Sequence, residues 1–272
     1  MRDFLKKTDY EEPCCPLNMH PDTVKIPIGR IIEKLDDYLS RNDYSAAERH
    51  LSYWLAEAEN GHDLRGKLTV LNEQIGLFRK LGRVTEGLRA VEAALSLADS
   101  LEMENTVTYG TTLINAATAY KAFDKAVDAL PLYQKAQKIY ESSLAPEDAR
   151  LGGLYNNMAL TVMSLEKYRD AENLFTKAMS VMEKQEHGEG EMAITCLNLA
   201  DLVSAEIGME AGEKEIEALL EKAESLLNTE DLPKDGNYAF ICEKCAPIFG
   251  YYGYFLFEKE LANRARLIYE RS

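Results

Sequence analysis

Three asparagines, Asn115, Asn157 and Asn198, recur 42 and 41 residues apart. Their side-chain amides each offer one acceptor and two donors, the groups needed to bond the backbone of an extended peptide without reading its side chains. Asparagine is a poor residue inside a helix, costing up to about 0.7 kcal/mol against alanine, so three in one register need a reason. Each stands two positions before a small alanine, Ala117, Ala159 or Ala200. Two helical residues span about 200°, so if the alanines are buried the asparagines face the other way. Two readings stay open: a ladder that holds bound peptide, or bonds to neighbouring helices that set their pitch.

The other reactive side chains show no comparable regularity. Cys242 and Cys245 form a CxxC, and Cys14-Cys15 with His20 a second cluster. They lie at opposite ends of the chain, and adjacent cysteines do not suit tetrahedral zinc, so neither a metal nor a cofactor is expected. Cys196 falls on an apolar stripe and reads as a small core residue. Of the four histidines, His20, His50, His62 and His187, none has a partner in register. No glycine-rich phosphate loop or metal-binding helix motif occurs. With 46 Asp and Glu in the chain, chance pairs of carboxylates carry no weight, and no enzymatic constellation emerges.

The elements that must position these residues repeat with a period near 42. Ala47, Leu51 and Trp54 are followed by Gly87, Val91 and Ala94, by Ala129, Tyr133 and Ala136, and by Ala171, Phe175 and Ala178. This i, i+4, i+7 spacing is one face of a helix, with the small residue where a neighbour approaches. A second stripe precedes each: Ile31, Leu35, Tyr38; Leu71, Ile75, Phe78; Leu113, Ala117, Tyr120; Tyr155, Ala159, Val162; Cys196, Ala200, Val203. Each repeat is therefore two amphipathic helices joined by a short turn such as Arg41-Asn42-Asp43 or Leu81-Gly82-Arg83. Neither helix can bury its stripe alone, so the repeats must stack.

The last two repeats are less regular. In the fifth, Glu206 to Lys214 reads as about four extra residues, a bulged or longer turn, before the stripe resumes at Ile216, Leu220 and Ala223. In the sixth, Phe249, Gly253 and Leu256 fit the first helix, with Pro247 near its start or, if the helix begins near Tyr238, kinking it, and Ala265 and Tyr269 fit the second. Residues 1–27, with Pro13, Pro16, Pro21 and Pro27, show no helical period and read as an extended or disordered arm. Residues 28–272 form the helical repeat domain.

Composition narrows the class. The chain has 272 residues, 31 Lys plus Arg against 46 Asp plus Glu, and a formal net charge of −15. A nucleic-acid partner needs a basic face, and an anionic membrane is disfavoured for the same reason. The most apolar stretch, Ile248 to Phe257, is far shorter than the roughly 20 residues of a membrane span. No apolar run follows the charged N-terminus as in a signal peptide, so a cytoplasmic protein with reduced thiols is expected.

The runs Leu154-Tyr155-Asn156-Asn157-Met158-Ala159 and Ala129-Leu130-Pro131-Leu132-Tyr133-Gln134-Lys135-Ala136 resemble tetratricopeptide repeats, in the 42-residue form of kinesin light chains. The connector Leu144-Ala145-Pro146-Glu147-Asp148 resembles that of the same subclass. The resemblance implies an all-α, right-handed superhelix of about six helix pairs. Its first helices would line a concave groove that holds a protein or peptide segment, and asparagines in this register would contact the ligand.

On that face the sequence places Asn72, Glu73 and Arg79 in the second repeat, and Ile114, Asn115, Thr118 and Lys121 in the third. It places Asn156, Asn157, Leu160 and Met163 in the fourth, and Leu197, Asn198, Asp201 and Ser204 in the fifth. Arg79, Lys80 and Lys121 form a basic spot suited to a carboxylate; the competing reading is ordinary solvated helix ends. The expected function is a non-enzymatic binding scaffold for a partner of unknown identity. The alternative is a peptide-sensing regulator whose superhelix changes shape on binding. Phe249, Tyr251, Tyr252, Tyr254, Phe255 and Phe257 exceed the needs of one buried stripe, which leaves a homodimer or partner contact open beside core packing.

Overall fold

The computed structural model describes residues 23–271. These form twelve α-helices and no strand. In chain order the pairs are α1 (Ile28–Ser40) with α2 (Tyr44–Asn60), α3 (Leu64–Lys80) with α4 (Val84–Ser100), and α5 (Val107–Ala122) with α6 (Ala126–Ser143). They continue with α7 (Ala149–Ser164) and α8 (Tyr168–Met182), α9 (Glu189–Ile207) and α10 (Met209–Leu227), and α11 (Gly236–Tyr251) and α12 (Phe255–Tyr269). Cys14, Cys15 and His20 lie outside the described residues.

The stripes account for the helices. Ala47, Leu51, Val91, Ala94, Ala129, Tyr133, Ala136, Ala171, Phe175 and Ala178 are all between 0 and 1% exposed. Alternating small and large side chains let second helices approach closely while each large one contributes roughly 1.5–3 kcal/mol of burial. Five of the six helix hairpins turn through three residues whose middle member is left-handed: Asn42, Gly82, Asp124, Glu166 and Gly253. Asp43, Asp63, Thr106, Asp148 and Asp235 accept hydrogen bonds from first-turn N–H groups of the helices they precede, satisfying donors with no intrahelical partner.

The helices form two compact modules, divided between Leu144 and Ala145. The N-terminal module holds the first three repeats. Before α1, the backbone N–H of Val24 donates to Gly61 O at 2.8 Å and that of Ile26 to Asp63 Oδ2 at 2.9 Å. The other Asp63 oxygen caps α3 through Gly66 N at 3.0 Å. One buried carboxylate thus starts a helix and holds the segment leading into the first repeat.

The C-terminal module holds the last three repeats, and here the structure corrects the expected register. The second helix of the fifth repeat is not displaced behind a longer turn: only Gly208 separates α9 from α10. Gly212, 41 residues after Ala171, is the buried small residue that opens the stripe, and a Cβ there would come within 2.5 Å of Val203. The extra residues come at the far end. α10 has 19 residues against 15 in α8, about one added turn, ending at fully buried Leu227. That extension shifts the sixth repeat, whose first-helix stripe is Cys242, Ala246 and Phe249, 46 residues after Cys196, Ala200 and Val203. Gly253 lies in the turn and Leu256, on the second helix, is 86% exposed. α11 begins well before Pro247, which sits inside it. Tyr238 donates to Leu227 O at 3.0 Å, and Arg264 reaches Tyr238 Oη and Asn228 Oδ1, both at 2.7 Å. The open C-terminal end of α10 is thereby tied to the last pair.

Candidate functional site

In the N-terminal module the asparagines of successive first helices bond to each other. Asn115 Nδ2 donates to Asn72 Oδ1 at 2.9 Å. Asn72 Nδ2 donates to Leu68 O and to Thr112 Oγ1, both at 3.0 Å. Buried Asn72 thus spends both N–H groups and an oxygen lone pair inside the protein, whereas half-buried Asn115 keeps its Oδ1 and one N–H. One turn on, Thr118 Oγ1 donates to Ile114 O at 2.7 Å and shares a 2.8 Å bond with the Tyr133 hydroxyl. Ile114 is 7% exposed and offers little open wall.

Arg79 and Lys121 end this face. They occupy the same register in adjacent first helices, both are half-buried, and among the described residues neither forms an ion pair. Burial pushes the Arg79 guanidinium below its ordinary value, partly offset by Tyr133. Burial likewise pushes Lys121 down, and Arg79 beside it pushes further, with Asp124 opposing. Two like charges held together and partly desolvated make a local positive potential. Lys80, expected in the same spot, instead places its ammonium 5.3 Å from the centre of the Tyr44 ring.

The C-terminal module repeats the amide pair with different neighbours. Asn198 Nδ2 donates to Asn156 Oδ1 at 2.9 Å, and Thr195 Oγ1 points to the same oxygen at 3.4 Å. Asn198 is 7% exposed. Asn157 is half-buried, and within its own module its side chain makes no hydrogen bond. Half-buried Leu160 and Met163 follow it on α7, whereas Leu197 is fully enclosed in the module's core. Asp201 accepts the Tyr252 hydroxyl at 2.9 Å, and burial pushes its carboxyl above the ordinary value.

The pairing follows a rule that the period alone hid. An asparagine in one repeat bonds to the asparagine one position further along in the next, Asn72 to Asn115 and Asn156 to Asn198, at separations of 43 and 42. The adjacent Asn156-Asn157 was the available signal, because it fills both positions at once. Cys196, Cys242 and Cys245 are buried free thiols, all raised by burial. Among the described residues no group of three or more His, Cys, Asp or Glu could hold a metal ion, and no helix is long and apolar enough to cross a membrane.

Residues 67–142 match the family model described as tetratricopeptide repeat. No curated protein matches the chain's sequence. Among solved structures, nearly identical TPR-like repeats named for a kinesin light chain of Podosopora anserina align with TM-score 0.52 at 17% identity, covering 74% of this chain and 94% of theirs. A variant of those repeats aligns with TM-score 0.53 at 18% identity, covering 76% and 97%. BtubC (BKLC) from P. vanneervenii aligns with TM-score 0.50 at 18% identity, covering 90% and 91%. The segment 67–142 spans α3 to α6, the helices that carry Asn72, Arg79, Asn115 and Lys121. Residues 67–142 therefore match tetratricopeptide repeats, and the helix pairs share the all-α fold of these kinesin-light-chain-like repeat structures.

Proposed function

We propose that the chain is a non-enzymatic scaffold whose first-helix faces hold an extended peptide or partner segment through its backbone. The observation that carries this reading is the unspent hydrogen-bonding capacity of the half-buried asparagines. Asn115 retains an acceptor and a donor after bonding Asn72, and Asn157 retains its whole amide within its module. Partly desolvated amides gain more from a ligand bond than fully hydrated ones. Thr118, Leu160 and Met163 supply side-chain contacts beside them, and Arg79 with Lys121 favours a negatively charged group at one end of the N-terminal face.

Selection of 12- to 15-residue peptides from a random display library, followed by calorimetry, tests the proposal. Binding of a selected peptide should weaken about tenfold or more in Asn157→Ala or Lys121→Gln, corresponding to about 1.4 kcal/mol, with helicity and Tm retained. A library that yields no binder, or peptides indifferent to both substitutions, overturns it.

A further inference from the structure

The hairpin turns of the last two repeats carry large apolar side chains that remain exposed. Ile207 and Met209 flank the α9–α10 turn at 52% and 46% exposure, and Tyr251, Phe255 and Leu256 flank the α11–α12 turn at 66%, 61% and 86%. Both turns lie on one edge of the C-terminal module. Gly190, at the start of α9, sits against Ile241 in the first half of α11, while Asp201, towards the end of α9, meets Tyr252, just beyond α11. The two helices therefore run parallel with their C-terminal ends together. Five large exposed apolar residues on one edge exceed the scattered single ones of an ordinary surface.

The charge around that edge is mainly negative. Residues 145–272 hold 24 Asp and Glu against 13 Lys and Arg, net −11, whereas residues 1–144 hold 22 against 18, net −4. Glu206 at the end of α9 and Glu210, Glu213, Glu217 and Glu221 on α10 are exposed at helical spacing and form no ion pair among the described residues. The glutamates reach the second turn as well: after burial, Glu217, Glu221 and Glu224 raise the Tyr254 hydroxyl next to Phe255. Exposed Lys214 and Lys222 on α10 and Lys259 on α12 are the nearby exceptions.

From this juxtaposition we infer that the turn edge of the C-terminal module docks a cationic amphipathic segment of a partner protein, with its apolar face on Phe255, Leu256 and Met209 and its Lys or Arg side chains against the α10 glutamates. A second copy of the chain is the poorer occupant, because it would bring a second net −11 module against the first. The edge is distinct from the first-helix face, so the inference does not depend on the peptide-holding reading.

The test uses the full chain and a synthetic 18-residue Leu/Lys amphipathic helix, with a Leu/Glu helix of the same pattern as control. Binding is followed by fluorescence anisotropy at two salt concentrations. The Leu/Lys helix should bind and the Leu/Glu helix should not. Phe255→Ser with Leu256→Ser, both exposed and so compatible with folding, should weaken binding about tenfold or more. Val84→Ser with Val127→Ser, exposed at turns of the N-terminal module, should leave it unchanged. Failure of the Leu/Lys helix to bind overturns the inference. So does equal binding by both variants, which would mean diffuse electrostatic attraction. Self-association of the protein abolished by Phe255→Ser with Leu256→Ser, without peptide binding, would assign the edge to a second copy instead.

Discussion

At one register position of the first helices the N-terminal module carries Arg79 and Lys121, and the C-terminal module carries Met163 and Ser204. The charge that is half-buried on the second face is of the other sign, Asp201, held by Tyr252. Both faces nevertheless contain the same inter-repeat amide pair, at 2.9 Å in each. The pair is thus common framework, and the flanking charge is what the two modules vary. The contrast follows net charge: the more acidic module half-buries a carboxyl on this face and exposes others on α10, and the less acidic module keeps two cations partly out of water on α3 and α5.

The largest effect should come from the buried aromatics that occupy one register in the two modules, Tyr133 and Phe175, which are 1% and 0% exposed. Replacing either by Ala should cost about 3–5 kcal/mol in denaturant unfolding. The polar edit separates them. Tyr133→Phe removes the hydroxyl that bonds Thr118, at about 1 kcal/mol, whereas Phe175→Tyr must bury a new hydroxyl and should cost about 1–3 kcal/mol where no partner is in place. Equal tolerance of a hydroxyl at both positions would break the distinction.

Next come the amides. Asn72→Ala leaves Thr112 and Asn115 without their shared partner and should destabilise by about 1–3 kcal/mol; Asn156→Ala, which strands buried Asn198, should fall in the same range. Asn157→Ala should lie within about 0.5 kcal/mol of wild type, because it breaks no side-chain bond within its module. A double-mutant cycle of Asn72 with Asn115 should show coupling of about 0.5 kcal/mol or more. Additive losses would mean that the two amides do not bond in solution.

The opposed charges predict opposed pH responses. Lys121 is held below its ordinary 10.5 by burial and by Arg79, so between its folded value and 10.5 the unfolded chain binds the proton more tightly. Stability should therefore rise with pH through that window. Asp201 is held above its ordinary 3.8 by burial, so the folded chain is the one that keeps the proton. Its contribution is full below 3.8 and declines as pH rises through the folded value. Subtracting the profiles of Lys121→Met and Asp201→Asn from wild type isolates each slope, and slopes of the same sign would contradict the contrast.

Much of the scaffold was legible because its stripes have a period and its buried positions alternate small and large. The helix pairs, turns such as Arg41-Asn42-Asp43, and the buried alanines all follow from that alternation. The fifth repeat misled because Gly212 carries no hydropathy signal while filling a close contact with Val203, so the apolar stripe reads as starting four residues late. The sixth misled because the added turn of α10 moved its frame, and the dense aromatics from 249 to 257 fit a wrong helix as well as the right one. On the candidate face, periodicity gave Asn115, Asn157 and Asn198 but not the pairing of Asn115 with Asn72 and of Asn198 with Asn156, since Asn72 and Asn156 stand one position earlier in the register. Lys80 and Lys121 read alike in sequence; only packing turns one towards Tyr44 and leaves the other beside Arg79.

The smallest expected effect lies in the turns, where a glycine in one module and a glutamate in the other fill the same left-handed position. Gly82 and Glu166 are the middle members of the α3–α4 and α7–α8 turns, with φ of 65° and 59°. A left-handed backbone costs a residue with a Cβ roughly 1–2 kcal/mol, and glycine escapes that cost while surrendering about 0.4–1 kcal/mol of extra unfolded-state entropy. The difference favours glycine by about 0.5–1 kcal/mol, so Glu166→Gly should raise stability by that amount and Gly82→Glu should lower it equally. No atom lies within 4 Å of a Cβ built on Gly82, so the loss there would be conformational rather than steric. Stabilisation by Glu166→Gly without a matching loss in Gly82→Glu would mean that the glutamate side chain, and not the backbone, sets the cost of the α7–α8 turn.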